Sequence, residues 1–342
     1  MSKLHQRGEN IRQFILAQVE AHPNDVVNLV MQEFEITRQA VNKHIKSLVE
    51  QKALTTQGTT RNKTYILHSL IPWTKTYSLA NPLEEDRIWD ADIKSLLADL
   101  SDNVRAIWYY AFTEMVNNAI DHSSGQEMII NVNRTTMDTE IVIQDNGEGI
   151  FKKIQRELDL YDESHAVLEL AKGKLTTDPE RHSGQGIFFT SRMFDRFMIL
   201  SGNTVFSHDF NTVEDFILEP SSPHVATTIF MKLANNTLRT SKQIFDQYSS
   251  GDDYAFTKTV VPVRLAQYGD EQLVSRSQAK RLLARVDKFK VVILDFTDVE
   301  MIGQAFADEV FRVFRNQHPE IELTSIHETQ AVKQMINRAG SV

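Results

Sequence analysis

The 342-residue sequence contains no cysteine, which excludes disulfides, thiol catalysis and zinc sites built on sulfur. It also lacks an apolar run of the roughly eighteen residues that a membrane-spanning helix needs. Its first residues, MSKLHQRGEN, lack the apolar stretch of a secretory signal, and we find neither an internal repeat nor a low-complexity tract. These absences predict a cytoplasmic protein with no membrane partner.

Charge is unevenly distributed along the chain. The net charge is −9, which argues against a protein that coats nucleic acid along its whole length. Residues 1–70 nevertheless carry nine Lys and Arg against six Asp and Glu, so they hold +3 and the remainder holds −12. A basic end on an acidic body favours one surface for a polyanion.

The length favours two or three domains. Apolar periodicity lapses near IPWTKTYSLANP and again near ANNTLRTSKQ, which we interpret as linkers. We expect a multidomain α/β protein with domains at 1–70, 83–235 and 258–342, joined by linkers at 71–82 and 236–257.

The first segment predicts three helices and a hairpin. Apolar positions recur with helical spacing in IRQFILAQVEAH, in VVNLVMQEF and in ITRQAVNKHIKSLVEQKAL, where Thr37 is placed as an N-cap. ALTTQGTTRNKTYILH then predicts two short strands around a turn at Gly58. This order resembles the winged helix-turn-helix family over residues 8–68, an α+β fold.

The resemblance implies duplex DNA as a partner. A helix can enter the major groove while basic residues of a wing neutralise phosphates. The candidate DNA-binding residues are Arg38, Gln39, Asn42, Lys43, Lys46, Arg61 and Lys63. The alternative is a solvated polar face on a domain that binds protein.

The middle segment combines four short patterns. TEMVNNAIDH places Glu114 and Asn118 one turn apart on a helix, and DNGEGI follows a predicted strand with Asp145 at its end. Further on, HSGQGIFF opens a helix with a second Gly-x-Gly, and VATTIFMKL predicts a strand with paired threonines. Each pattern is weak by itself, but their order and spacing resemble the gyrase/histidine-kinase (GHKL) ATPase superfamily over residues 83–235.

That resemblance implies a Bergerat-type α/β sandwich that binds ATP and Mg²⁺. By position, Asn118 matches the Mg²⁺ ligand, Glu114 the general base and Asp145 the acceptor for the adenine amino group. The other ATP-binding positions that it implies are Gly147 and Gly149 under the base, Gly184 and Gly186 at the hinge of a lid and the phosphate-facing helix start, and Thr227 or Thr228 beside Asp145. Ala226 stands where the family usually has glycine.

Cations between the glycine patterns are candidates for phosphate contact. The stretch LELAKGKLTTDPERHSG holds Lys172, Lys174 and Arg181, and we choose Lys174 as the phosphate ligand. The alternative is a surface loop whose cations meet only water.

The third segment predicts strand, helix, strand, helix, strand, helix, with an apolar buried strand at Val291–Phe296. It resembles the STAS fold, and DFTDVEMIGQAFADEVFRVF resembles the STAS-like domain DUF4325. Antagonists of that fold carry a phosphorylatable serine in Asp-Ser-Ser-Gly, whereas Gly303, Gln304 and Ala305 occupy that stretch here. We expect a regulatory protein partner at this domain, with a docking surface that would contain Asp295, Asp298, Glu300, Asp308 and Glu309. The alternative is that these acids form a solvated rim.

Together these features predict a regulator in which ATP binding or hydrolysis alters the disposition of the outer domains, with DNA binding as output. Two alternatives stay open: an anti-sigma-type protein serine/threonine kinase with Glu114 as base, and a scaffold that holds ATP without catalysis. A homodimer is also left open.

Overall fold

The structure, a computed structural model, describes residues 3–59, 63–175, 184–210, 215–218, 224–249, 255–267 and 272–340. The chain forms two compact units, each with its own core. The first contains Met1–Lys75, Asn131–Ile141 and Leu233–Thr237, and the second contains Thr76–Ile130, Val142–Lys232 and Leu238–Val342. The coarse expectation of a mixed α/β protein with several sheets is confirmed, while the domain boundaries stay predictions.

The first unit begins with three helices and a hairpin: α1 (Lys3–Gln18), α2 (Val26–Phe34), α3 (Arg38–Glu50), β1 (Leu54–Gln57) and β2 (Thr64–Leu67). β1 and β2 pair antiparallel, as predicted. Thr37 caps α3, since its hydroxyl accepts from the Ala40 N–H at 3.3 Å. The apolar stripe of α3, Val41, Ile45 and Leu48, is buried in one core with residues of the other two helices.

A large sheet has seven strands among the described residues. They are β3 (Ile71–Ser78), β4 (Glu127–Arg134), β5 (Asp138–Asp145), β6 (Arg196–Gly202), β7 (Thr204–Asp209), β8 (Asp215–Leu218) and β9 (His224–Ala234). Their spatial order is β3-β4-β5-β9-β6-β7-β8. β6 runs antiparallel to both β7 and β9. Burial alternates along β4 and β6 with a period of two, because one face of each strand packs on a core.

Helices that accompany this sheet carry the predicted site. They are α4 (Glu85–Ile88), α5 (Asp102–His122), α6 (Ile150–Glu157), α7 (Glu163–Lys172), α8 (Gly186–Met193) and α9 (Ser241–Tyr248), with a π turn at Trp89–Ile93 and a 3₁₀ turn at Lys94–Leu97. α5 is long, and it buries Trp108, Phe112 and Met115 completely. Trp108 meets Phe194 edge to face, with ring centroids 4.7 Å apart. The buried stripe fixes the rotation of α5, and therefore the direction in which Glu114 and Asn118 point.

The C-terminal part is built on a parallel sheet, β10 (Lys258–Pro262), β11 (Val291–Asp295) and β12 (Glu322–Ile326), in the order β10-β11-β12. Its helical segments are α10 (Arg276–Leu283), α11 (Gln304–Asp308), α12 (Arg315–Gln317) and α13 (Gln330–Gly340), with 3₁₀ turns at Val263–Ala266 and Val286–Lys288 and a π turn at Glu309–Phe314. Phe306, Val310, Phe311 and Phe314 point inward, as predicted. Across the described ranges, no helix has both the length and the apolar character to cross a bilayer.

Candidate functional site

A cavity of about 330 Å³ in the second unit brings several predicted residues together. Glu114, Asn118, Asp145, Gly184, Gly186 and Thr227 all line it. Residues that the sequence reasoning did not choose complete the lining: Asn117, His122, Ser123, Ile150, Lys153, Ile154, Leu170, Leu175, Ile187, Phe188 and Ile229. The cavity therefore has polar groups on α5 and β5 and an apolar wall from α6, α7, α8 and β9.

Asp145 is the buried acid of the cavity, with 6% of its surface exposed. It ends β5, and its Oδ1 accepts from the Gly147 N–H at 2.8 Å. Burial raises the pKa of Asp145, while hydrogen bonds from Gly147 and Thr227 oppose that rise. The carboxylate is thus held in a fixed orientation at the cavity wall, as an acceptor of hydrogen bonds.

Thr227 links this carboxylate to the start of α6. Its hydroxyl accepts from the Ile150 N–H at 3.0 Å, directly after Gly149, which adopts φ +92° at the N-cap. The sequence left Thr227 and Thr228 as alternatives. Successive residues of a strand point to opposite faces, and Thr227 is the one that lines the cavity.

Gly147 is required by space. A Cβ at this position would lie 1.9 Å from the backbone oxygen of Ser123, which cannot move away independently of the chain. The same Ser123 oxygen accepts from the Glu148 N–H at 3.1 Å. The DNGEGI turn is therefore packed directly on the end of α5, and Gly147 and Gly149 act behind the cavity wall.

Glu114 faces the first residue of α8. A Cβ on Gly186 would lie 2.1 Å from Glu114 Oε2, so only glycine leaves room for the carboxylate here. Asn118 lies one turn further along α5 and lines the same cavity. Burial and the charge of Glu114 raise the pKa of Tyr110 far above its usual value. The carboxylate of Glu114 and the amide of Asn118 thus line the cavity together, beside the start of α8.

Gly184 lies two residues before the start of α8. It has φ +68°. Its backbone oxygen accepts a hydrogen bond from the Leu175 N–H at 3.1 Å. A Cβ on Gly184 would meet the Leu175 backbone at 2.5 Å. Arg181, named from the sequence as a candidate phosphate contact, lies outside the described residues.

The lysines chosen from the sequence point elsewhere in this structure. Lys174 Nζ donates to the backbone oxygen of Lys288 at 2.7 Å and does not line the cavity. Lys172 is buried and pairs with Glu169 at 2.7 Å. Among the residues that the structure describes, the lysine that lines the cavity is Lys153, whose Nζ donates to the His122 oxygen at 2.9 Å. Lys153 follows Ile150 by three residues on α6, so both lie on the same face of the helix, and this spacing was the sequence signal that could have identified Lys153. Nucleotide contact by Lys174 stays a prediction.

The predicted DNA-binding side chains of the first unit share an exposed surface. Arg38, Gln39, Asn42, Lys43 and Lys46 are all exposed on α3, opposite its buried stripe. Arg38 donates to Asn28 Oδ1 at 3.0 Å. Lys63 is exposed directly before β2, and Arg61 lies outside the described residues. DNA contact by this surface stays a prediction.

In the C-terminal part, residues 278–333 match the model of the STAS-like domain of unknown function, DUF4325. This segment is a STAS-like domain. The prediction of that domain is confirmed. A search of curated proteins and a search of solved structures found no match to the chain.

One residue of the acidic docking surface that was expected on the STAS-like domain, Asp295, is buried and does not belong to a surface. Asp295 is 6% exposed, and its Oδ1 accepts from Thr297 Oγ1 at 2.8 Å and lies 2.9 Å from His327 Nδ1. Its carboxylate turns inward at the end of β11 and fixes the following turn. Gln304, which the resemblance to the antagonists places at their serine position, is exposed at the start of α11.

Proposed function

We propose that the cavity binds ATP with Mg²⁺ in a GHKL-type domain of Bergerat architecture, and that nucleotide controls the first unit and the STAS-like domain. One observation carries the proposal: a buried, hydrogen-bonded carboxylate, Asp145, shares a cavity with the oxygen donors Glu114 and Asn118. The volume of about 330 Å³ is within the range of small-molecule sites.

The residues present fit the ligand chemically. Asp145 would accept from the amino group of adenine, since its orientation is fixed by Gly147 and Thr227. Mg²⁺ prefers hard oxygen donors and few protein ligands, which suits the amide oxygen of Asn118. When bound, the Mg²⁺ ion would neutralise negative charge on the phosphates. Glu114 would accept a proton from the attacking water or hydroxyl.

The phosphates would lie at the start of α8. Gly186 brings the backbone there close to Glu114. The N–H groups of a helix start favour an anion, and Lys153 adds a cation to the cavity lining.

For the first unit we propose a winged-helix fold that contacts duplex DNA through the exposed face of α3. The exposed Arg38, Lys43 and Lys46 and the +3 charge of residues 1–70 support this output. In a gel-shift titration at low salt, K43M/K46M should weaken binding for every sequence tested and lower the salt slope by about 2. Duplex binding that is equal in wild type and variant would contradict the assignment of this face.

Thermal-shift and calorimetric titrations test the nucleotide site. ATP with Mg²⁺ should stabilise the full chain by a few kcal/mol at about a hundred times Kd or more. GTP should do so less, because guanine presents an acceptor where adenine presents a donor. D145N should reverse this order, since an amide can donate to guanine. D209N, at the end of β7, is the matched control and should behave as wild type.

E114Q separates binding from turnover. It should bind ATP as wild type does but release far less phosphate, since an amide cannot accept the proton. Label from the γ-phosphate that appears on protein, in place of free phosphate, would indicate the protein-kinase alternative. If neither ATP nor GTP stabilises the chain at millimolar concentration, the proposed function is wrong.

A further inference from the structure

Lys174 lies at the junction between the cavity and the STAS-like domain. On one side its neighbour Leu175 lines the cavity. On the other side its ammonium donates to the backbone oxygen of Lys288 at 2.7 Å, and Lys288 belongs to the matched STAS-like segment. One residue therefore connects the edge of the cavity to another domain.

The ammonium of Lys174 is bound there by more than one contact. It lies 4.7 Å from the ring centroid of Phe289 and 5.6 Å from that of Phe256. In return, Lys288 Nζ approaches the backbone oxygen of Lys174 at 3.4 Å. The two lysines thus exchange ammonium-to-carbonyl contacts, although their charges repel.

The backbone at Lys174 is strained. Gly173 has φ +82° with ψ 178°, and Lys174 has φ +54°, so two consecutive residues have positive φ at the end of α7. The left-handed conformation is unfavourable for lysine, and such strain persists only where surrounding contacts enforce it. The contacts with Lys288, Phe289 and Phe256 are the ones that hold this side chain.

The position of Lys174 is also electrostatically unfavourable. Burial and the neighbouring Lys288 charge lower the pKa of Lys174. A phosphate beside this ammonium would relieve that repulsion, whereas a backbone carbonyl relieves it only in part.

We propose that Lys174 is a two-position sensor: its ammonium binds either the Lys288 carbonyl, as here, or the phosphate chain of a nucleotide in the cavity. This proposal rests on the proposed nucleotide site and adds how that site is coupled to the STAS-like domain. Lys174 does not line the cavity while its ammonium holds the Lys288 carbonyl, so the ammonium must leave that carbonyl to reach a phosphate. Phosphate binding therefore loosens the STAS-like domain at residues 286–290. By reciprocity, a partner that fixes those residues weakens triphosphate binding.

Hydrogen exchange on the full chain, with nucleotide binding measured calorimetrically on the same samples, tests the sensor. ATP with Mg²⁺ should speed exchange of amides 286–290 about tenfold, the effect of losing one charge-assisted hydrogen bond. Adenosine has no phosphates, so it should bind without this effect. K174M should show the faster exchange without nucleotide and no further response to ATP. K152M, which removes an exposed lysine of α6, should respond as wild type.

A second variant covers the case in which K174M does not fold. K288M keeps the acceptor carbonyl and removes the competing charge, so it should slow exchange of amides 286–290 and weaken the response to ATP. If ATP binds and these amides do not respond, or if adenosine acts like ATP, the sensor is refuted while the nucleotide site stands. If no nucleotide binds, both proposals fail.

Discussion

A buried ion pair on α7 allows a quantitative test of how the STAS-like domain is attached. Lys172 is 1% exposed, and its ammonium donates to Glu169 at 2.7 Å. It also donates to the backbone oxygens of Arg281 at 3.1 Å and Ala284 at 2.9 Å, at the C-terminal end of α10. This one side chain therefore neutralises a buried acid and caps a helix of the STAS-like domain.

The substitution K172M keeps the length of the side chain and removes its charge. Removing one partner of a buried ion pair typically costs about 3–5 kcal/mol, because the remaining charge is left without compensation. Two helix carbonyls lose a donor as well, so we expect a value in the upper half of that range. For a unit of this size the change corresponds to a fall in Tm on the order of 10 °C.

The penalty should depend on pH with a defined sign. Burial alone would raise the pKa of Glu169, but His165 at 3.6 Å and the charges of Lys172 and Arg285 outweigh burial and lower it. A lowered folded pKa contributes stability that is present at neutral pH and lost on acidification through the folded pKa. In K172M the main cation is gone, so the pKa of Glu169 rises and a proton can neutralise it. The destabilisation should be largest near pH 7 and smaller at about pH 5.

Calorimetry and circular dichroism on the full chain, at both pH values, measure this effect. K280M, which removes an exposed lysine from α10, is the control and should change stability by less than about 0.5 kcal/mol. The double variant K172M/E169M should recover much of the loss, since a buried pair as a whole is close to neutral compared with apolar residues. A loss below about 1 kcal/mol for K172M, or one that does not vary with pH, would refute the view that this pair is desolvated.

Three glycines give further predictions. G147A should lower Tm and abolish nucleotide binding, because its Cβ would meet the Ser123 backbone, whereas G186A should keep most of the stability and lose turnover, because its Cβ would displace the Glu114 side chain. Similar losses of Tm in the two variants would contradict this distinction. G8A, inside α1 and with its nearest neighbours at 3.7 Å, should raise the stability of the first unit by about 0.5–1 kcal/mol, measured by urea denaturation.

Local patterns predicted local structure well. The stripe Val41, Ile45 and Leu48 defined α3, and Thr37 caps it as expected, because periodicity and capping depend on neighbours in sequence. The cavity residues Asp145 and Glu114 were also accessible, because the DNGEGI pattern carries Gly147 two residues after Asp145, and the later HSGQGIFF pattern carries Gly186, which leaves room for Glu114.

Side-chain partners between distant elements were not accessible. The choice of Lys174 as a phosphate ligand stays a prediction, and its contact in this structure, with Lys288 at a distance of 114 residues along the chain, could not be inferred from the sequence. Asp295 was expected on a surface, and it is buried because His327 and Thr297 face it. The charge of a residue indicates which kinds of group it can bind. Which of those groups lies close enough depends on the tertiary structure.

The contrast between glycines and lysines explains which predictions were possible. At Gly147 and Gly186 the site is specified by exclusion, because an added Cβ would overlap Ser123 or Glu114, and only one residue type satisfies such a position. Lys153 and Lys174 are specified by reach, and a long flexible side chain can satisfy several partners. A position that only glycine can occupy is visible in the sequence, whereas the partner of a long side chain is not. For that reason Glu114, Asn118 and Asp145 could be inferred from the chain alone, whereas most of the cavity lining and the contacts of the lysines near it required the structure.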